Sequence, residues 1–452
     1  MGVLTKESLI RKQIVLMAGD IAAAVFILFF IYMMNQNQAD SRLFMQPWYF
    51  LFIPALIFSS FICEIYTVKT WQFRSLAVRA AIATGICFLI LILVAEFSAI
   101  LWWLVFGLIC FYVLQILWHS FYQFIVRSSL FVKPLMVIGT GTTALQVERM
   151  ISASANKYSL IGYISTPSDP VDVAQDKIIG KIDDIVELCR QHKVHSIVMA
   201  LTEKRGNLAI AKLVACKLIG VRIIDYPNFY ETMTGKIPVE SINPSWLVQS
   251  NGFLITPLVR FLKRIFDIIL SALVLLITLP FFPLFVFFVK YKSPGPVFYL
   301  QKRVGEFGKD FTIYKFRSMV TDAESMSGAA WASENDPRVS PFGHLMRKTR
   351  IDELPQLINV LKGDMSFIGP RPERPEFVKQ ISENTPYYME RHAVKPGITG
   401  WAQVMYPYGS SIGDSVEKLR YDLYYINNLS LFLELLIVFE TIKVIVFRRG
   451  GR

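Results

Sequence analysis

The chain opens with four long apolar runs, at residues 14–34, 47–66, 80–95 (extending towards Phe97) and 99–118. A helix needs roughly 20 apolar residues to cross the hydrocarbon core of a bilayer, so each run is expected to form a transmembrane helix. The loops between them are asymmetric in charge. Lys6, Arg11, Lys12, Lys69, Arg74, Arg79, Arg127 and Lys133 fall on one side, and only Arg42 on the other. Cytoplasmic loops collect lysine and arginine, which places the N-terminus and everything after Trp118 in the cytoplasm. The first run contains Asp20 and no small-residue cleavage site follows it, unlike a cleaved signal peptide. The turn at Glu96 is short, so the third and fourth helices should form a tight hairpin. Asp20 and Glu64 are acids in or near the membrane; a functional role and simple pairing near a helix end both fit them.

A fifth apolar run, residues 266–289, has basic residues at both ends: Arg260, Lys263 and Arg264 before it, Lys290 and Lys292 after it. Pro280 and Pro283 interrupt it, and proline breaks the helical hydrogen-bond ladder. The arm before Pro280 is only ~21 Å long at 1.5 Å per residue, against a core of ~30 Å. The pattern predicts a helix-break-helix over residues 264–291 that enters the inner leaflet and returns. A kinked spanning helix is the alternative.

Between these membrane segments the pattern changes. An apolar strand around residues 131–141 ends in Gly139-Thr140-Gly141-Thr142-Thr143-Ala144, and periodic helix follows. Further apolar runs at 160–164, 196–201 and 221–225 alternate with helical stretches, as in a parallel α/β domain. The glycines suggest a dinucleotide loop, yet no acid stands at the end of the second strand to hold a ribose. The domain therefore reads as nucleotide-binding or as a degenerate structural or regulatory unit. A sugar-nucleotide dehydratase would need Tyr-x-x-x-Lys, and none occurs between Leu130 and Gly252.

Composition supports the membrane assignment: hydrophobic residues make up 53% of the chain and charged residues 18%, against about 25% charged in soluble proteins. The net charge of +12 points first to cytoplasmic loops on anionic headgroups and then to an anionic substrate. No aromatic-and-basic motif for nucleic acid appears. Cys63, Cys87 and Cys110 lie in apolar runs, and Cys189, His192 and His195 lack a partner cluster that would make a zinc site.

The C-terminal third concentrates the candidate chemistry. It carries Lys315-Phe316-Arg317-Ser318-Met319, Asn335-Asp336-Pro337-Arg338, then Arg347, Lys348, Arg350 and Ile351-Asp352-Glu353-Leu354-Pro355-Gln356. Gly363-Asp364-Met365-Ser366, Gly369-Pro370-Arg371-Pro372 and Lys395-Pro396-Gly397-Ile398-Thr399-Gly400-Trp401 follow, then Tyr421-Asp422. A pyrophosphate needs several cations, and arginine offers fork-shaped donors. Adjacent carboxylates can divide attack and metal binding between them. Taken singly, Asp336 and Asp364 read as caps or ion-pair partners. Asp352-Glu353 inside this basic cluster reads as catalytic, with the cations expected to lower the pKa of Asp352.

This ordered series, with Gly295-Pro296-Val297-Phe298, resembles the bacterial sugar transferases, the monotopic polyprenol-phosphate phosphoglycosyl transferases. The match runs over residues 261–452, and the four-helix region with an α/β domain resembles the long form of that family. The resemblance implies a UDP-sugar donor, an undecaprenyl phosphate acceptor and release of UMP at the bacterial inner membrane. It implies Asp352 as nucleophile and Glu353 as ligand of Mg²⁺, with Mn²⁺ as a substitute. It places Arg347 and Arg371 on phosphate, and Asp422 at an acidic position of the site; Lys315, Arg317 and Arg338 are expected to join them from the basic cluster itself. Smaller members have serine before the helix-breaking proline, where this chain has Leu279 before Pro280. The final apolar run, residues 429–447, carries Glu434, Glu440 and Lys443 and reads as an interfacial or packing helix. The expected fold is an α plus α/β membrane protein. It comprises four transmembrane helices (1–130), a degenerate Rossmann-like cytoplasmic domain (131–250) and a catalytic domain with a re-entrant helix (258–452). Inner-membrane lipids are expected partners and nucleic acid is not; self-association into a homo-oligomer stays open. A polymer-assembly scaffold and a UDP-releasing glycosyltransferase are the competing functions.

Overall fold

The computed structural model describes residues 6–35, 47–66, 73–93, 100–127, 132–153, 158–167, 169–201, 210–292, 295–319, 338–406, 409 and 411–446. Arg42, Lys69, Glu96 and Asp336, with Asn335 and Pro337, lie outside them. The chain divides into two compact units, Met1–Gly235 and Lys236–Arg452. That division lies ahead of the border at 250 drawn from the strand and helix pattern.

The first unit begins with α1 (Lys6–Asn35), α2 (Pro47–Ile62), α3 (Phe73–Ile92) and α4 (Ile100–Arg127). Ile27, Ile31, Phe52, Leu56, Leu91, Leu104 and Phe111 pack in one core among them, while Phe26, Phe29, Trp102 and Leu117 stay exposed on the outer faces. Helices apolar on all sides suit a lipid surround. Among the described residues, α1, α3, α4 and the stretch Pro257–Tyr291 are long and apolar enough to cross a membrane. The expected second span is shorter than its apolar run: α2 stops at Ile62, and Cys63–Tyr66 form a turn with Glu64 in the left-handed region. Asp20 is fully buried and accepts hydrogen bonds from Tyr66 at 2.8 Å and Gln115 at 2.6 Å, with His119 Nε2 at 3.1 Å. The acid on α1 is thus a packing partner of α4 and the α2 turn. Glu64 pairs loosely with Arg79 at 3.5 Å.

The unit continues through β1 (Lys133–Ile138), α5 (Thr142–Ala153), β2 (Tyr158–Ser165), β3 (Ile178–Lys181), α6 (Ile185–Gln191), β4 (Ser196–Met199), α7 (Ile210–Leu218), β5 (Arg222–Asp225) and α8 (Tyr226–Thr234). The strands form a parallel sheet in the order β3-β2-β1-β4-β5. Strand β1 is apolar at successive positions because helices cover both faces. Leu135 and Val137 enter the core beside α5 and α8, Met136 and Ile138 the core beside α6 and α7. The short edge strand β3 was not signalled by the sequence pattern.

The second unit holds α9 (Pro244–Gln249), α10 (Pro257–Thr278), α11 (Phe282–Lys292), β6 (Phe298–Val304), β7 (Asp310–Phe316), α12 (Pro341–Thr349), α13 (Gln356–Lys362), β8 (Ser366–Ile368), α14 (Pro375–Asn384), β9 (Gly397–Thr399), α15 (Trp401–Met405), α16 (Ile412–Asn427) and α17 (Leu431–Val446). One 3₁₀ turn, Leu279–Phe281, separates α10 from α11 at Pro280. Residues 236–253 belong to this unit through α16: Lys236 pairs with Glu417, Glu240 with Arg420 at 2.6 Å, and Ser250 bonds Asn427 at 2.5 Å.

The root of α10 is polar and tied down. Lys263 Nζ donates to the Ile368 carbonyl at 3.0 Å and pairs with Glu434 of α17 at 2.8 Å. Asp267 accepts from Ser366 Oγ at 2.9 Å and from the Phe367 amide at 3.0 Å. Arg264 donates to the Val360 and Leu361 carbonyls at 2.6 and 2.9 Å. Beyond this root the helix is apolar and exposed, at Ile269, Leu273, Leu276 and Ile277 among others.

Candidate active site

Four pieces of backbone assemble the site, and each sequence motif supplies one. The hairpin β6–β7 pairs Tyr299 with Lys315, which sets Lys315 and Arg317 at the end of β7. Arg338 precedes Val339, whose bridge to Met319 brings it beside that end. Helix α12 is capped by Ser340, whose Oγ accepts from the Gly343 amide at 3.0 Å, and carries Arg347. Its C-cap, Arg350, has φ 61°. A left-handed arginine costs about 1–3 kcal/mol and persists only where the surroundings hold it. It reverses the chain into the single 3₁₀ turn Ile351–Glu353.

The fourth piece is the Gly-Pro-Arg-Pro loop. Strands β8 and β9 pair in parallel, Ser366 with Gly397 and Ile368 with Thr399. Gly369 donates to the Thr399 carbonyl and Gly397 to the Pro370 carbonyl, both at 2.9 Å. A Cβ on Gly369 would lie 2.4 Å from the Lys395 carbonyl, so only glycine fits. The two glycine motifs therefore exist to press two backbones together, and Arg371 projects from that staple.

The geometry converges on Glu353. Arg371 Nη2 donates to Oε1 at 2.8 Å, Arg350 Nη1 lies 3.3 Å from Oε1, and Lys315 Nζ 3.7 Å from it. Burial opposes the charge, but these three cations outweigh it and hold the Glu353 carboxyl far below its usual range. Asp352 is also buried, and its Oδ1 has no hydrogen-bond partner. Desolvation and the neighbouring Glu353 charge push its pKa up to about 6, against the pull of Lys315, Arg347 and Arg350. This reverses the expected lowering, because burial and the adjacent Glu353 charge outweigh the pull of the cations. Burial likewise brings the Lys315 ammonium down to about 8.

Arg347 Nε donates to Ser318 Oγ at 2.9 Å, joining α12 to the end of β7. Arg317 is buried, with its amide on the Val297 carbonyl at 2.9 Å. Asp422 is not among these groups. It is 2% exposed and accepts from Arg391 Nε and Nη2 at 3.0 and 2.8 Å. Arg391 Nη2 also donates to the Arg371 carbonyl at 3.0 Å, and Nη1 to Tyr388 at 3.0 Å. Asp422 thus supports the loop from behind, through an arginine that no sequence motif marked. Asp364 is structural too: its amide caps α13 on the Asn359 carbonyl at 3.0 Å, and Asn359 Nδ2 approaches its carboxylate at 3.4 Å.

Among the described residues, no group of three or more His, Cys, Asp or Glu side chains converges as a metal cage. A cation that takes one or two carboxylates and completes its shell from substrate phosphates and water would need no larger donor set. Glu353, with Asp352 beside it, is the carboxylate that would fit such a role. Chemically, the arrangement offers one buried carboxylate free to attack, one held ionised, and cations directed at an anion.

Comparison with known proteins agrees with this reading. Residues 258–448 match the family described as bacterial sugar transferase, and residues 65–215 one described as a CoA-binding domain. The chain is 43% identical over 240 residues to the UDP-N-acetylgalactosamine-undecaprenyl-phosphate N-acetylgalactosaminephosphotransferase of Aeromonas hydrophila, covering 53% of this chain and 56% of that protein. It is 36% identical to the UDP-glucose:undecaprenyl-phosphate glucose-1-phosphate transferase of Escherichia coli K12, covering 63% and 61%. The match is thus short of two thirds of either relative's length. With the undecaprenyl-phosphate galactose phosphotransferase of Salmonella typhimurium it shares 31% identity, covering 71% of this chain and 69% of the relative. Dyad, arginine staple and relatives together assign this chain to the bacterial sugar transferases, the polyprenol-phosphate phosphoglycosyl transferase family.

Proposed function

We propose that the protein transfers a hexose-1-phosphate from a UDP-sugar to undecaprenyl phosphate, releasing UMP. The observation that carries this reading is the buried Asp352, one oxygen unpartnered, beside a Glu353 clamped by Arg371, Arg350 and Lys315. Asp352 attacks the β-phosphorus, and the bond from that phosphorus to the oxygen bridging the two phosphates breaks. UMP leaves with the electron pair, and the sugar C1–O bond stays intact. An oxygen of undecaprenyl phosphate then attacks the same phosphorus and returns Asp352 as carboxylate. Arg371, Arg347, Arg338, Arg317 and Lys315 neutralise the pyrophosphate. Glu353 would hold Mg²⁺ or Mn²⁺, which when bound spreads charge over the phosphate oxygens. Relatives named for N-acetylgalactosamine, glucose and galactose transfer support a hexose donor. The product suits the first membrane step of exopolysaccharide, capsule or O-antigen synthesis.

The polar root and apolar arm of α10, with the break at Pro280, support a re-entrant helix in the inner leaflet of the bacterial cytoplasmic membrane. The catalytic unit then lies on the cytoplasmic side. The strand order of the α/β sheet supports a Rossmann-like domain.

The test uses purified enzyme and sugar-labelled UDP-sugar without acceptor. The protein should take up label and release UMP, and added undecaprenyl phosphate should remove the label. Release of UDP would assign a glycosyltransferase instead, and release of neither nucleotide a scaffold.

A further inference from the structure

The glycine loop after β1 has the geometry of a phosphate cradle, and it is already filled. Gly139 has φ 113°, and a Cβ there would stand 2.5 Å from the Ala200 carbonyl. The next two amides, Thr140 and Gly141, point the same way just ahead of α5. In nucleotide-binding α/β domains such amides receive a phosphate. Here both donate to one atom, Asp169 Oδ2, at 2.7 and 3.0 Å. Asp169 lies four residues beyond β2, is 8% exposed as a residue, and turns its carboxylate into the loop.

The rest of the segment closes over the same place. Thr140 Oγ1 donates to the Pro170 carbonyl at 2.8 Å, and the Thr140 carbonyl accepts the Asp172 and Val173 amides at 2.8 and 3.2 Å. Val173 enters the core with Leu135, Val137 and Ala144. Thr140 itself is fully buried. The carboxylate is therefore held by its flanks as well as by the amides. An acid on the segment after β2 serves here as the anion.

We propose that Asp169 is a built-in occupant of this cradle, and that the α/β domain takes neither coenzyme A nor a dinucleotide through the Gly139–Gly141 loop. A phosphate arriving there would have to displace a carboxylate that is tethered, desolvated and charge-assisted in its hydrogen bonds. The loop then works as a clasp between the β1–α5 turn and the segment after β2.

The test is hydrogen-deuterium exchange on the full chain in detergent, read at the peptide that contains Thr140 and Gly141. This keeps the readout apart from the C-terminal cations, which will also bind phosphates. In the native protein, coenzyme A, NAD and inorganic pyrophosphate should leave exchange at this peptide unchanged. In Asp169→Ala, exchange there should rise on the order of tenfold or more, and pyrophosphate should restore protection. Ligand-dependent protection of the native peptide overturns the proposal, as does unchanged exchange in the alanine variant or failure of pyrophosphate to protect it. If Asp169→Ala unfolds the sheet, exchange rises across β1–β5, and Asp169→Asn decides. Its neutral oxygen is a weaker acceptor, so faster exchange confined to Thr140 and Gly141 is expected, and exchange equal to the native rate overturns the proposal.

Discussion

Asp352 and Glu353 are chain neighbours, both buried, and their carboxylates are driven in opposite directions. Glu353 collects Arg371 at 2.8 Å, Arg350 at 3.3 Å and Lys315 at 3.7 Å, whereas Asp352 Oδ1 has no partner. One is kept ionised and engaged, and the other, the proposed nucleophile, titrates close to neutrality. Division of labour between adjacent acids follows from environments that push their pKa values apart.

A bell-shaped pH profile follows. The Asp352 pKa is raised to about 6, so its carboxylate is lost as pH falls through that value. Lys315 is lowered to about 8, so its positive charge is lost as pH rises through that value. Plotted against pH, log kcat/KM should rise with unit slope below about 6, peak near 7 and fall above about 8. Glu353 should add no limb, being ionised throughout. A profile flat from 5 to 7 would remove Asp352 from the attacking role.

The dyad's two members should fail differently. Asp352→Asn is expected to abolish both phosphosugar labelling and turnover, a loss on the order of 10⁴-fold or more, with expression unchanged. Glu353→Gln should lose activity with little loss of folding, and its residual activity should respond less to Mg²⁺ titration. Excess EDTA should stop the native enzyme; full turnover in EDTA would contradict a metal at this site.

Arg391 joins Asp422 to the backbone of the arginine loop. Arg391→Ala leaves Asp422 as an unpaired buried charge and should cost about 3–5 kcal/mol in denaturant unfolding. Arg391→Lys keeps the charge but not the fork that reaches both Asp422 and the Arg371 carbonyl. It should fold and lose about 10–100-fold in kcat, with a smaller change in KM. An activity loss that only tracks stability would make Arg391 a packing residue.

The boundary of the catalytic unit can be tested by truncation. A fragment from about residue 258 onward contains every phosphate-handling motif and should retain some transferase activity in detergent. A fragment starting at Lys236 should be the more stable one, because it keeps the Lys236–Glu417 and Glu240–Arg420 pairs and the buried Ile237 and Val239. Burial of such side chains contributes roughly 1.5–3 kcal/mol each, which a thermal melt resolves.

Orientation is checked by a reporter fused after Arg452. It should behave as cytoplasmic, because basic residues flank both ends of α10–α11. A periplasmic signal would mean that the helix crosses.

The parts legible in the sequence were those whose side chains act where they stand. The apolar runs marked α1 to α4, and the Asp352-Glu353 pair with Gly369-Pro370-Arg371-Pro372 marked the candidate site, because charge clustering is visible along the chain. The turn that ends α2 was hidden, since Cys63, Ile65 and Tyr66 continue the apolar run and a single acid, Glu64, does not mark a helix end. The roles of Arg391 and Asp169 were hidden for another reason. Arg391 acts on Arg371, 20 positions away, and Asp169 on Thr140, 29 positions away. Neither direction is encoded by local periodicity. The opposite charge states of the dyad were also out of reach, because they depend on which carboxylate the cations touch.

The polar root of α10 has a mechanical consequence. Lys263 and Asp267 grip the backbone on both sides of Ser366–Ile368, and that strand runs directly into Gly369 and the arginine loop. A helix whose apolar arm lies in lipid adjusts its tilt to bilayer thickness. Here any such tilt acts on a lever whose short end is the strand behind Arg371, so turnover should depend on acyl-chain length even when headgroups and substrates are held constant.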